Sequence, residues 1–269
     1  MKKYKRVLTI AGSDSGGGAG IQADLKTFSA LGCFGMSVIT ALTAQNTTAV
    51  TGIYPVPADF VAKQIDAVMS DIGVDALKIG MLNTPDIIIN IANKLKEYKV
   101  KNIVLDPVMI AKSGDKLLRD ESIKALKEEL IPLARLITPN IPEAEVLACA
   151  SIKNREDLEK VAKKLLELGP EAVLVKGGHF ENAESPDCLV LQSGEVLWLE
   201  AKRINSPNTH GTGCTTSSAI AAYLAQGLEL GDAVRSAKKY IQSAIIAGAE
   251  YKIGHGHGPV HHFHELWEE

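Results

Sequence analysis

The hydrophobic residues alternate between short continuous runs and longer segments with helical spacing. Continuous apolar runs of this length are typical of buried strands, and apolar residues every three or four positions are typical of helices. The runs predict strands at Val7–Ala11, Met36–Leu42, Ala76–Ile79, Ile103–Leu105, Leu136–Thr138 and Ala172–Val175. The spaced segments predict helices at 21–31, 57–72, 84–98, 121–130, 154–168 and 230–251. This alternation predicts a mostly parallel sheet covered by helices on both faces.

Two segments depart from the alternation of strand and helix. Leu189–Gln192 and Glu195–Leu199 flank the pair Ser193-Gly194, a pattern that predicts a β-hairpin. Residues 111–115 have neither periodicity and are predicted to form a loop. Neither feature changes the expected fold class.

Polar clusters follow the predicted strands at the points where the strands end. The carboxyl ends of parallel strands share one edge of a sheet, and ligands of open α/β sheets bind in a crevice there. We therefore expect the clusters to converge on one crevice. They are Gly12–Gly20, Thr43–Thr48, Asp106, Asn140–Glu143, Lys176–Gly178 and a loop around Cys214.

The segment Asn205–Ala219 begins as a polar turn and leads into an Ala-rich helix predicted at Ser217–Gln226. Its glycines, Gly211 and Gly213, let the backbone approach a ligand closely. The free N–H groups of a helix start favour an anion, such as a phosphate in transfer. A thiol near a helix start tends to have a lowered pKa, so we expect this of Cys214. The alternative is a Gly-rich connection that carries a buried cysteine.

The other polar side chains each have a structural and a functional interpretation. Asp106 suits a metal ion or its waters, but Asp-Pro is also an ordinary turn. Asn140 and Glu143 could form a helix capping box or hold a hydrated Mg²⁺ from one face of the helix. Lys176 could reach a phosphate or extend to water. Gln45 could read the hydrogen-bonding edge of a ring or be a surface amide.

Composition and charge exclude several classes of protein. The 269 residues are 46% hydrophobic, which suffices for a large core, and the net charge of −3 offers no basis for binding nucleic acid. The first apolar run is too short for a signal segment or a membrane span. The four cysteines are scattered, which favours a reducing, cytoplasmic location over a disulfide framework. The C-terminal tail holds five of the seven histidines but no matching carboxylate pattern for a metal site.

Taken together, the motifs resemble those of the bacterial hydroxymethylpyrimidine/phosphomethylpyrimidine kinases of thiamin synthesis, in the ribokinase-like superfamily. Each motif alone is weak, but all of them in this order form a specific signal over nearly the whole chain. They are Ile10–Asp24, Ala41–Asn46, Lys78–Met81, Leu105–Val108, Thr138–Glu143, Val175–His179, Thr209–Cys214 and Gly256–Val260.

The resemblance implies a single kinase domain over residues 1–269. Its expected fold is a three-layer α/β/α sandwich with a central, mostly parallel sheet and no separate lid domain. The implied activity is ATP-dependent phosphorylation of 4-amino-5-hydroxymethyl-2-methylpyrimidine, and then of its monophosphate to the diphosphate. The implied cofactors are ATP and Mg²⁺, with a monovalent cation as a further candidate. Family members are usually dimers, so a homodimer is expected.

The resemblance also assigns residues to three groups. The catalytic group, which holds the transferred phosphoryl group, is Gly211, Thr212, Gly213, Cys214 and Lys176. The group that binds the substrate ring is Gly12, Asp24, Gln45, Met81 and Val108. The group for ATP and metal is Asp106, Asn140, Glu143, Lys176 and Thr209.

Cys214 stands where most sugar kinases of the superfamily carry an aspartate as general base. We therefore expect Cys214 to matter for the first transfer and little for the second, whose phosphate acceptor is already ionised. Relatives with the same loop act as pyridoxal or pyridoxamine kinases, which is the main alternative. Gln45 and Met81 favour the aminopyrimidine. A non-catalytic sensor of the pyrimidine is a further alternative, which the intact phosphate and metal clusters disfavour.

Overall fold

A computed structural model describes residues 2–109, 120–178 and 186–267 of the chain. The loop predicted at 111–115 lies outside these residues. The strands are β1 (Arg6–Asp14), β2 (Phe34–Gln45), β3 (Val50–Pro55), β4 (Ala76–Ile79), β5 (Ile103–Leu105), β6 (Leu136–Ile137), β7 (Ala172–Val175), β8 (Asp187–Leu191) and β9 (Val196–Leu199). The helices are α1 (Gly20–Ala30), α2 (Ala58–Asp71), α3 (Pro85–Glu97), α4 (Asp120–Ala125), α5 (Ile141–Ala148), α6 (Arg155–Leu166), α7 (Thr212–Gln226) and α8 (Leu230–Gly248).

The described strands form one sheet in the order β3-β2-β1-β4-β5-β6-β7-β8-β9. The neighbours from β2 to β7 pair in parallel, while β3 at one edge and β8 and β9 at the other are antiparallel. The expected mostly parallel sheet is confirmed. Because the parallel strands run in one direction, their carboxyl ends meet along a single edge.

Helices cover both faces of the sheet and create two apolar layers. One layer packs residues of α2 to α6 against Leu8, Ile10, Leu77 and Ile79. The other layer packs α1, α7 and α8 against side chains such as Val7 and Ala76, which are the alternate residues of the same strands. Successive residues of a strand point to opposite faces, so a strand buried on both faces has a continuous apolar sequence. The three-layer α/β/α architecture is confirmed.

The structure differs from the sequence-based expectation at two elements. Strand β3 was missed because its residues, Val50–Pro55, are mostly exposed and so lack the buried alternation that identifies a strand. The predicted helix 121–130 is α4 followed by a π-helical turn, Leu126–Leu130, and a 3-10 turn, Ile131–Leu133. Among the described helices, none is long and apolar enough to cross a membrane.

The helix at the polar loop also begins earlier than predicted, at Thr212 instead of Ser217. Cys214 therefore lies inside the first turn of α7, not in the loop before it. Buried hydroxyl side chains make this turn possible, since Thr216 Oγ1 donates to Thr212 O and Ser217 Oγ donates to Gly213 O. Such back-bonding lets polar residues occupy a helix that is otherwise packed against the sheet.

Candidate active site

The polar clusters at the carboxyl edge of the sheet converge on one cavity of about 740 Å³, as the strand order requires. This volume lies in the range of small-molecule sites. Of the residues assigned by resemblance, all except Asp24 line the cavity. They are Gly12, Gln45, Met81, Asp106, Val108, Asn140, Glu143, Lys176, Thr209, Gly211, Thr212, Gly213 and Cys214.

The loop before α7 has a backbone shape that only glycine allows. Gly211 has a φ of 78°, in the left-handed region, and a Cβ there would lie 1.8 Å from the carbonyl oxygen of Gly18. The loop therefore packs directly on the Gly-rich turn after β1. At its end, the first N–H groups of α7 have no partner within the helix and face the cavity region, where an anion would be stabilised.

A buried ion pair lies beside this helix start. Lys176 Nζ donates to Asp106 Oδ1 at 2.8 Å, and Thr138 Oγ1 donates to the same oxygen at 3.0 Å. Burial opposes the charge of Asp106, but Lys176 and the more distant Lys78 outweigh it and lower the pKa of the carboxyl. A Cβ on Gly213 would be 3.4 Å from Lys176 Nζ, so the missing side chain opens the loop to this cation. Lys176 is thus fixed next to the anion-binding turn.

Asn140 and Glu143 form the predicted capping box at the start of α5. Asn140 Oδ1 accepts from the Glu143 N–H, and Glu143 Oε2 accepts from the Asn140 N–H, both at 2.9 Å. Burial raises the pKa of Glu143 to about 7, and Lys176 only partly opposes this effect. The structural and functional interpretations are therefore compatible, because the capping box aims a buried carboxyl at the cavity.

Cys214 does not have the lowered pKa that its position near a helix start suggested. Burial raises the pKa of the thiol to about 11, although Lys78 and the N–H of Gly20, which donates to the thiol, act in the opposite direction. Asp24 and Asp106 raise the pKa further. The expectation of an acidic thiol was wrong because the helix start is buried among carboxylates, whose effect local sequence does not reveal.

Gly12, Gln45, Met81 and Val108 also line the cavity. Gly12 lies against the Met81 side chain, since a Cβ there would be 3.4 Å from the sulfur atom. Thr40 Oγ1 holds the Met81 carbonyl at 2.8 Å. The Met81 side chain and the Gln45 amide thus line the same cavity, a combination of apolar and hydrogen-bonding groups that suits a flat, polar-edged ring.

Sequence reasoning missed Asp14 and His210, which connect the two glycine-rich loops. The buried Asp14 carboxylate accepts from the N–H groups of Gly16, Gly18 and Ala19, and His210 Nε2 lies 2.9 Å from its Oδ2. Burial opposes ionisation of Asp14, but these contacts outweigh it and lower the pKa of the carboxyl. An aspartate that precedes several glycines is a recognisable signal for such a turn, because its side chain can accept from nearby N–H groups.

The structure places Asp24 outside the cavity, which corrects its assignment to the ring pocket. Asp24 is fully buried and pairs with the equally buried Lys78, whose Nζ lies 2.8 Å and 3.0 Å from the two carboxylate oxygens. Lys78 lines the cavity, whereas Asp24 stands behind it. A lysine inside an apolar strand was a usable signal, because lysine is almost never fully buried without a partner.

Comparison with known proteins supports the resemblance. The family model described as "Phosphomethylpyrimidine kinase" matches residues 14–261. The hydroxymethylpyrimidine/phosphomethylpyrimidine kinase of Salmonella typhimurium is 50% identical over 97% of this chain and 98% of its own. A crystal structure of phosphomethylpyrimidine kinase from Clostridium difficile is 50% identical, with a TM-score of 0.80 over 89% of this chain and 99% of that one.

The fold is shared with kinases of a second vitamin. An ADP complex of Bacillus subtilis pyridoxal kinase is 39% identical, with a TM-score of 0.90 over 98% of this chain and 100% of that one. The fold therefore does not separate the two substrate classes. The family model and the sequence identities do, and by both criteria this chain belongs to the phosphomethylpyrimidine kinase family.

Proposed function

We propose that the protein, as one kinase domain over residues 1–269, transfers the γ-phosphoryl group of ATP to 4-amino-5-hydroxymethyl-2-methylpyrimidine and then to its monophosphate. The observation that carries the proposal is one cavity of about 740 Å³ that is lined both by Gln45 and Met81 and by Gly211–Cys214 at the start of α7. The names of its relatives support the choice of substrate. All four cysteines are free, which supports the cytoplasm as its location.

The phosphoryl group in transfer would lie against the first turn of α7. The N–H groups after Gly211 and the ammonium of Lys176 face the place where negative charge builds up during transfer. Because Gly211 packs on Gly18 and Asp106 holds Lys176, these groups would need little reorganisation when the charge develops. Preorganised donors of this kind supply much of the stabilisation in phosphoryl transfer.

Mg²⁺ fits the oxygen donors beside this turn. Asp106 and Glu143 are carboxyls at the same cavity, and Asn140 is held next to them by the capping box. Among the described residues, no group of three or more His, Cys, Asp or Glu could form a complete metal site. Mg²⁺ commonly binds through one or two carboxylates together with waters and nucleotide phosphates, and it neutralises phosphate charge. The monovalent cation stays a prediction.

The two transfers differ in what they require from Cys214. In the first, the hydroxymethyl oxygen attacks phosphorus, its proton passes to a base, and ADP leaves. Cys214 is the proposed base, and it lies in the first turn of α7, which lines the cavity. Burial raises the pKa of the thiol to about 11, so stabilisation of its thiolate by the surrounding groups would favour the first transfer. The second acceptor is a phosphate that is already ionised and mainly needs positioning.

The protein is proposed to act as a homodimer. The hairpin of β2 and β3 projects Leu42 and Tyr54, 47% and 68% exposed, and Phe60 at the start of α2 is 54% exposed. Leu42 and Tyr54 are paired residues on one face of the hairpin, while Val50 and Ile53 line the cavity. A second copy packed on Leu42 and Tyr54 would stabilise the strand that contributes Val50 and Ile53 to the cavity.

The substrate assignment is tested by incubating the protein with Mg-ATP and, separately, the hydroxymethylpyrimidine, its monophosphate, pyridoxal and pyridoxamine. Products are identified by mass spectrometry. We expect monophosphate and diphosphate of the pyrimidine. Pyridoxal phosphate as the sole product would overturn our assignment of the ring pocket, and tight pyrimidine binding without any ATP turnover would indicate a sensor.

The role of Cys214 is tested by Cys214→Ala. We expect the rate of the first transfer to fall about 100-fold or more, since general bases contribute at least this much, and the second to fall far less. Both rates are measured at saturating Mg-ATP. Cys149→Ser, which alters an exposed cysteine, is the matched control and should leave both rates unchanged. Equal loss of both transfers in a folded Cys214→Ala protein contradicts the proposed division.

The ionisation of Glu143 predicts a pH dependence of metal use. Burial raises the pKa of Glu143 to about 7, so the carboxylate form, which binds Mg²⁺, becomes dominant as the pH rises through that value. We expect the Mg²⁺ concentration for half-maximal rate to fall over this range. In Glu143→Gln this change should vanish, while the ATP and acceptor specificities stay the same. An unchanged pH dependence in the variant would show that another group is responsible.

The dimer is tested by light scattering of Tyr54→Glu. We expect the substitution to convert a dimer into a monomer, because it places a charge in the proposed apolar contact. Tyr4→Glu changes a similarly exposed tyrosine, 73% exposed, that precedes β1 at the opposite end of the sheet, and should leave the dimer intact. A monomeric unsubstituted protein, or equal behaviour of the two variants, contradicts the proposed interface.

A further inference from the structure

The ion pair of Lys78 and Asp24 is buried at the cavity wall, with Lys78 on the cavity side and Asp24 behind it. The proposed transfer makes no use of this pair. Both side chains have no exposed surface. Burying two charges costs desolvation energy, and well-packed apolar residues of similar size often stabilise a protein as much or more. Stability alone therefore does not explain why the pair is present. Its position next to the cavity indicates a role in the site.

The ammonium of Lys78 lies close to the carboxyl edge of the sheet. A Cβ on Gly80, the residue after β4, would be 2.7 Å from Lys78 Nζ, too close for any real side chain. The side chain of Lys78 therefore fills the place that a residue at position 80 would take, and both Lys78 and Cys214 line the cavity. Because Gly80 has no side chain, the ammonium of Lys78 on β4 can lie next to the cavity.

Asp24 holds this ammonium and is itself fully engaged. Its Oδ2 accepts from Thr9 Oγ1 at 2.6 Å, and its Oδ1 accepts from Ser218 Oγ at 2.7 Å. The four contacts bind together β1, α1, β4 and α7, the helix that carries Cys214. Burial opposes the charge of Lys78, but the Asp24 carboxylate outweighs it and raises the pKa of the lysine. The lysine is therefore a permanent cation at any physiological pH.

The charged groups around Cys214 come from four different elements. Lys78 on β4 favours the thiolate, while Asp24 on α1 and Asp106 after β5 oppose it. Lys176 after β7 also interacts with the thiol, and the N–H of Gly20 donates to it. Lys78 lines the same cavity as Cys214, and its partner Asp24 accepts from Ser218, one helical turn after Cys214 on α7, so the pair lies close to the thiol. Of the charges, Lys78 has the largest effect on the pKa of the thiol. The carboxylate of Asp24 opposes the effect of Lys78 on the thiol, so the pair acts as a partly neutralised cation.

We propose that Lys78 is a positioning residue that stabilises the thiolate of Cys214 for the first phosphoryl transfer, and that Asp24 holds Lys78 next to the cavity and attenuates its charge. The inference rests on the proposed function, in which Cys214 takes the proton of the hydroxymethyl group. It assigns to Asp24 a role behind the cavity in place of direct contact with the substrate ring. The acceptor proton goes to Cys214 throughout, and Lys78 keeps its own.

The experiment measures the ionisation of Cys214 without reference to kinase activity. The full chain, with Cys149→Ser to remove the exposed thiol, is treated with iodoacetamide from about pH 8 to about pH 10, where alkylation follows the thiolate fraction. Peptide mass spectrometry gives the rate at Cys214 alone, separate from the buried Cys33 and Cys188. The variants are Asp24→Asn, the neutral double variant Asp24→Asn with Lys78→Met, and Ser218→Ala.

The two charge variants should change the alkylation rate in opposite directions. Asp24→Asn leaves the lysine unattenuated and should make alkylation of Cys214 about tenfold faster, as expected for loss of a nearby like charge. The double variant also removes the charge of Lys78, which affects the thiol more than that of Asp24. Alkylation of Cys214 in this variant should be about threefold slower than in the parent. Ser218→Ala removes a hydrogen bond but no charge, so its rate should match the parent.

A purely structural role of the pair gives a different result. Loosening of the site exposes the thiol and makes alkylation faster in both charge variants, an outcome that overturns the proposal, as does an unchanged rate in both. If Asp24→Asn fails to fold, the slower rate of the neutral double variant decides by itself. In that variant the first transfer should also fall relative to the second. Absence of any pyrimidine phosphorylation by the parent would refute the proposed function but leave the alkylation rates interpretable.

Discussion

The parallel hydrogen bonding of six neighbouring strands is the constraint on which the site depends. Strands β2, β1, β4, β5, β6 and β7 pair in one direction, so the residues that follow them all emerge at one edge. Gln45, Met81, Asp106 and Lys176 each end a strand or follow one, although they are far apart in sequence. A change of register in any strand would move one of these groups away from the cavity.

Two lysine–aspartate ion pairs lie at the carboxyl edge of the sheet. The Lys176–Asp106 pair lines the cavity, and in the second, fully buried pair Lys78 lines it while Asp24 lies behind. Each cation is held by a carboxylate, so the cavity has strong local fields without a large net charge. Because the paired side chains are buried, their charges are screened less than charges at the protein surface. The same burial raises the pKa of Glu143 and of Cys214, and the reactivity of both groups thus depends on neighbours from other elements.

Glycine determines how closely the loops and ion pairs of the site approach one another. Gly211 packs on the carbonyl oxygen of Gly18, and Gly80 leaves its place to the ammonium of Lys78. The Asp14 carboxylate then holds the first glycine-rich turn and contacts His210 of the second. The two glycine-rich loops and the buried Lys78 are therefore parts of one packed unit, in which displacement of one loop affects the others.

The sequence by itself determined the parallel strands and the polar clusters at their ends, because continuous apolar runs and strand ends are local signals. The assignment of single residues such as Gly12, Met81 and Val108 to the site came from the resemblance to the kinase family. The Asn140–Glu143 capping box was also visible, since its contacts span only three residues. Strand β3 was not, because it has no buried face. The position of Asp24 behind Lys78 and the raised pKa of Cys214 were decided by the tertiary structure alone. Both depend on charges brought together from separate strands and helices, and such long-range electrostatics leave no pattern in the local sequence.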